Sequence, residues 1–184
     1  MQSEQLQQIM GYYIKESQKN LAVIEQYLLN LQGTVQDSAM VDDLFRAARC
    51  GIVGGANLLP ISNLHISCIH KTALCLVDCC QVFQQQGAFE VDQKLEDLLM
   101  EVFYTLQGLI EKLREPSRLT DDEAEQIISQ IEPLEKSLMA HLHGLLKRSH
   151  RTQLVNAIAS EEADELASLA DLESLIDSLA LDNP

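Results

Sequence analysis

The sequence predicts an all-α protein, an antiparallel up-and-down helical bundle. Apolar residues recur at helical spacing along several long stretches. Eight glycines and four prolines among 184 residues are too few for a turn-rich β chain. No strand-and-turn pattern competes with the helical one. The chain is 46% hydrophobic but only 4% aromatic, without tryptophan, so its core is built mainly from Leu, Ile, Val and Ala. Its length suits one domain with an extension. The expected division is a helical bundle over 1–150 and an acidic C-terminal extension over 151–184.

The first helix is expected from about Ser3 to Gln32, with Ile9, Tyr13, Leu21, Ile24, Leu28 and Leu31 on one face and Gly33 as its stop. The second starts near Ser38, a suitable N-cap, and carries Val41, Leu44, Phe45 and Ala48. Gly51, Gly54 and Gly55 obscure its end, since each costs a helix about 1 kcal/mol relative to Ala. After Pro60, Ser62 caps a third helix from about Asn63 to Gln86, and Gly87 ends it. A fourth, from about Asp92 to Arg114, has the cleanest apolar pattern and closes at Glu115-Pro116.

Thr120 and Glu123 have capping-box spacing and open a fifth helix, carrying Ile127, Ile128, Ile131, Leu134, Leu138, Leu142 and Leu145. Pro133 inside it should kink or split it. The basic cluster Lys147-Arg148-Ser149-His150-Arg151 suits a helix C-terminus, where positive charge opposes the macrodipole. Residues 157–184 then contain eight acids and no Lys or Arg. Leu166, Leu169, Leu172, Ile176 and Leu179 recur there at helical spacing. That segment reads either as a solvated tail or as an amphipathic helix that docks on the bundle or a partner, with self-association through it as one outcome.

The net charge of -15 argues against nucleic acid, which needs clustered Lys and Arg. It argues equally against an anionic membrane surface. No apolar run near 18 residues and no charged-then-apolar leader stand out, so no membrane insertion and a cytoplasmic location are expected. The five cysteines, Cys50, Cys68, Cys75, Cys79 and Cys80, are odd in number and clustered in expected helix. They read as reduced, buried thiols rather than a disulfide framework.

The most informative stretch is Phe45-Arg46-Ala47-Ala48-Arg49-Cys50-Gly51-Ile52-Val53-Gly54-Gly55-Ala56. With Tyr12 to Ser17, Ile24 to Leu31, Val41 to Ala48, Thr72-Ala73 and Leu76 to Cys79, it resembles the histidine-phosphotransfer (HPt) domain, similar to the N-terminal domain of chemotaxis-type histidine kinases. The likeness spans roughly residues 5–115. It implies an HPt-like four-helix core, with an additional helix and the acidic C-terminal helix or tail beyond it. Family members carry a phosphorylated histidine on the second helix, a lysine three residues later, then small residues, usually with glycine. The histidine must project so that a receiver domain's aspartate can reach the phosphorus in line. Glycine one turn on removes bulk where the partner approaches.

This chain has no histidine there. Aligned on Gly54, the histidine position holds Cys50 and the lysine position Val53. Aligned on Phe45 to Ala48, the histidine position holds Arg49. The resemblance therefore implies a degenerate, non-catalytic module of a two-component or chemotaxis-type system, without a cofactor. It would dock a response-regulator receiver domain or a histidine kinase through Arg49, Cys50, Val53, Gly54 and Gly55. Val53 would make that face more apolar.

The alternatives are an active phosphotransfer protein using His65 or His70, or the N-terminal HPt domain of a longer kinase. His65 follows the Pro60 turn, where exposure is expected, and His70 has Lys71 as a neighbouring cation. The two lie about 140° apart around their helix and also read as ordinary histidines. Cys75 and Cys79, one turn apart, share a helix with Cys68 and Cys80, and one helix cannot surround a tetrahedral ion. No metal site is expected there or at His141 and His143.

Overall fold

The computed structural model describes the backbone of residues 3–59, 63–114 and 119–181, and the side chains within 4–155 of that set. Among the described residues the protein is a helical bundle without strands. Its helices are α1 (Ser3–Leu28), α2 (Leu31–Gln36), α3 (Ser38–Arg46), α4 (Gly55–Asn57), α5 (Leu64–Gln86), α6 (Gln93–Lys112) and α7 (Asp121–Leu181). Between α3 and α4 the helix continues without a break as a π-helical segment, Ala47–Gly54.

The chain divides into two compact units, Met1–Leu145 and Leu146–Pro184. In the first, α1, the α3–π segment, α5 and α6 pack each on the next and back onto α1, enclosing one core. Ile24, Leu44, Ile52, Ile69, Leu76, Leu99, Phe103 and Ile110 are among its largest fully buried members. Contacts give the helix directions. Tyr27 meets Asp43, while a side chain at Gly51 or Gly55 would meet Asn20 or Tyr13 respectively, so α1 and the α3–π segment run in opposite senses. Cys68 reaches Ala124, Lys71 pairs with Glu132, and Cys79 meets Met139, so α5 and the first part of α7 run in the same sense. Ala124, Ile131, Leu138 and Leu142 are the buried face of α7 in this unit.

Helix ends follow side-chain chemistry. Asp37, not Ser38, caps α3, accepting from the amides of Ala39 and Met40. Asn63 caps α5 through the Ile66 amide, and the expected Ser62 cap lies outside the described residues. Gly87 ends α5 at φ 68°, a conformation that favours glycine. Thr120 and Glu123 form the expected capping box, each side chain accepting from the other's amide. Gln32 of α2 holds the α5–α6 connection by donating to Phe89 O at 3.1 Å and accepting from Val91 N at 2.8 Å.

Several expectations are corrected. The first helix ends at Leu28, and Gly33 lies inside α2 rather than stopping a helix. Ile9 is 38% exposed, and Met10 and Ile14 take the core positions nearby. Ile127 and Ile128 are only half-buried. Pro133 does not split α7, and the basic cluster at 147–151 does not end it. In the second unit α7 continues to Leu181, with Thr152 donating to Arg148 O and with Leu154 and Val155 exposed. The apolar positions expected from Leu166 to Leu179 lie outside the residues whose side chains are described.

α5 is long and apolar enough, by length and composition, to cross a membrane. Most of its apolar surface is buried against α3, the π segment and α6, as in the central helix of a bundle.

Asp92 has two tasks. It caps α6 through the Leu95 amide at 3.0 Å and receives His141 Nε2 of α7 at 2.7 Å. Asp92→Ala is expected to destabilise the first unit by about 1–2 kcal/mol, and Asp92→Asn by less, since asparagine also caps. Denaturant unfolding midpoints of the two variants measure the difference.

Candidate functional site

The face singled out by the sequence lies on the π segment. A π-helix closes its hydrogen bonds one residue further on than an α-helix and holds about 4.4 residues per turn, so it changes which side chains point outward. Arg49 and Cys50 are exposed, and Gly54 and Gly55 are half-buried. Val53, expected on the docking face, is 1% exposed and belongs to the core. The face is therefore less apolar than expected, and Val53 is unavailable to a partner. The exposed run instead passes from Arg46 through Arg49 and Cys50 to Gly54 and Leu58, the last 82% exposed.

The three glycines divide in purpose. A Cβ on Gly51 would stand 2.2 Å from the Asn20 side chain, and one on Gly55 2.9 Å from the Tyr13 ring. Both therefore permit close approach of α1 to the π segment within the fold, not approach by a partner. At Gly54 a Cβ would find only Arg49 O, at 3.5 Å, an ordinary contact. Gly54 alone keeps the outward role expected of the glycines.

Tyr13 anchors this contact. Its ring lies against Gly55 and its hydroxyl donates to Ile52 O at 3.4 Å, inside the π segment. Burial pushes the phenol up to about 12, while the Ser17 hydroxyl pulls the other way. On the opposite flank, Asp78 of α5 lies within the field of Arg49. Partial burial raises its carboxyl, and the Arg49 guanidinium offsets part of that rise. Asp78, Tyr13 and Asn20 are site neighbours that the motif did not reveal. Their residue types carry no local signal, because they come from other helices.

The alternative phosphoacceptors fare differently. His65 is 3% exposed, and its Nε2–H donates to Leu109 O at 2.7 Å, which fixes the ring in the core between α5 and α6. The exposure expected of it is corrected: the residue two places past the Asn63 cap of α5 faces the bundle, and a receiver cannot reach it. His70 is half-buried, and Lys71, its expected cation, is engaged by Glu132 at 2.6 Å.

Four of the cysteines are buried in α5, and Cys50 is exposed. Burial pushes Cys75 and Cys80 up to about 12 and raises Cys79 well above its ordinary value. These thiols are protonated packing groups. Among the described residues no group of three or more His, Cys, Asp or Glu is arranged to hold a metal ion. A shallow cleft of about 300 Å³ between Val35, Val41, Asp42, Phe83 and Gln84 has no lining residue from the π segment.

Gly55→Ala is expected to destabilise the protein by about 1–3 kcal/mol, because Tyr13 must yield in a packed core. Gly54→Ala is expected to be neutral or stabilising by up to about 1 kcal/mol, the helix-propensity gain. Thermal unfolding of the pair checks this contrast. In the native protein a thiol reagent should modify Cys50 and leave the other four cysteines until the chain unfolds; fast labelling at Cys75 or Cys80 would contradict their burial.

Stability should also fall as pH rises from about 9 to 12. The unfolded chain releases its Cys75 and Cys80 protons near the ordinary value of 9.0, whereas the folded protein retains them to about 12. Below that window both states are protonated and these groups contribute no slope. Urea midpoints across the range measure it.

No protein-family model, curated protein or solved structure matches this chain.

Proposed function

We propose that the first unit is a non-catalytic, HPt-like interaction module, which docks a receiver domain or a histidine kinase of a two-component or chemotaxis-type system without transferring phosphate. The observation that carries this reading is the exposed Arg49–Cys50 pair beside Gly54, on a helix whose opposite side is buried in a four-helix core. The residue types and their order resemble the family's phosphoacceptor segment, and the glycine at 54 leaves room for an approaching surface.

The chemistry of phosphotransfer is missing from that face. A guanidinium is protonated at all physiological pH values, so Arg49 lacks the free nitrogen lone pair with which a neutral imidazole attacks phosphorus. Val53 supplies no cation and is buried. What Arg49 does supply is a planar fork of donors suited to carboxylates and phosphates. In a chain of net charge -15, Arg46 is engaged by Asp43, which leaves Arg49 as the cation this face offers a partner. An acidic partner site therefore suits it better than the rest of the surface.

Isothermal titration against receiver and kinase domains tests the reading. Binding is expected to at least one of them, and Arg49→Glu should weaken it about tenfold or more with helicity unchanged. Absence of binding to every such domain overturns the proposal. A second check uses a phosphorylated donor: the protein should acquire no acid-labile phosphate, and its appearance would replace docking with transfer.

A further inference from the structure

The π segment holds a residue that the core does not need. On an uninterrupted α-helix, with about 100° between residues, Arg46, Val53 and Asn57 share one face. Yet Arg46 and Asn57 are exposed while Val53 is 1% exposed. Counting one residue fewer between Ala48 and Ile52 removes the conflict. Val53 then falls four residues past Ala48, in phase with the buried Val41, Leu44 and Ala48, while Ala56 and Leu59 follow in step. The outward residues Arg46, Cys50, Gly54 and Leu58 become spaced by four, three and four, a single helical face. The same one-residue surplus separates the two alignments of the motif, one anchored on Phe45 to Ala48 and the other on Gly54.

An eight-residue π segment is the geometry that takes up such a surplus without breaking the helix, and its hydrogen bonding is rarer and less favourable than the α ladder. Glycine at 51 also lets the surplus turn form without moving Asn20, whose amide end stands 2.2 Å from the place a side chain would start. Since the buried side would stay in phase without it, its use lies on the exposed side. There the π turn sets the exposed Arg49 and Cys50 about 80° apart instead of about 100°.

We propose that one residue among Arg49, Cys50 and Gly51 is surplus to the fold, and that the π bulge it forms is a display device for the Arg49–Cys50 pair. The display half of this inference rests on the docking reading above. The surplus half does not.

Deletion of Gly51, and separately of Cys50, tests both halves in the full chain. Removal of either should leave helical content unchanged and raise Tm by about 2–4 °C, as the segment relaxes to α-helix. Affinity for the receiver or kinase domain that binds the parent should drop about tenfold or more. If both deletions lower Tm or abolish folding, the residue is not surplus and the inference is overturned. If Tm rises but affinity is unchanged, the display role is overturned while docking stands. If the parent binds none of these domains, docking fails and the display role with it, and Tm alone then decides whether the residue is surplus.

Discussion

The close approach of α1 to the π segment is the constraint on which the rest of the first unit depends. The two helices reach this separation because Gly55 presents no Cβ to the ring of Tyr13, while Gly51 lets the π turn pass the amide end of Asn20. With α1 held there, Ile52 and Val53 are driven into the core and Arg49 and Cys50 are left outside. Inner packing and outer surface are thus two results of one contact. Tyr13 links them chemically, since its ring fills the space above Gly55 and its hydroxyl reaches the carbonyl of Ile52.

Around this contact the electrostatics are arranged asymmetrically. Buried thiols line α5, where desolvation holds them protonated and makes them behave as small apolar groups. Ion pairs lie at the periphery: Lys19 with Glu16, Arg46 with Asp43, Lys71 with Glu132. Exposed pairs of this kind contribute little to stability and more to which surface carries which charge. The His141–Asp92 pair is different in placement, because its carboxylate also caps α6 and so ties the position of α7 to the start of another helix.

Much of the architecture was legible in the sequence. The helices of the bundle, the Thr120–Glu123 box and the Gly87 stop follow from periodicity and capping chemistry, which act over three or four residues. The candidate site was legible in part. Arg49 and Cys50 are exposed and Gly54 is half-buried, whereas Val53 and His65 lie in the core. Val53 was misplaced because its position came from the motif aligned on Gly54, and an alignment of residue types carries no information about the π turn that faces Val53 inward. His65 was misplaced because proximity to a turn says nothing about which side of the new helix meets the core.

By itself, the sequence determined the class of fold, most of the helical segments, the buried character of most cysteines and the absence of histidine from residues 45–56. These properties depend on residue type and short-range spacing. Tertiary structure alone decided the helical form of residues 47–54, the inward duty of two glycines and the burial of Val53. Those depend on how near α1 approaches, a distance set by side chains more than thirty positions away along the chain. Local propensity has no access to such a contact, so the motif's chemistry could be read from its residues and its geometry only from its neighbours.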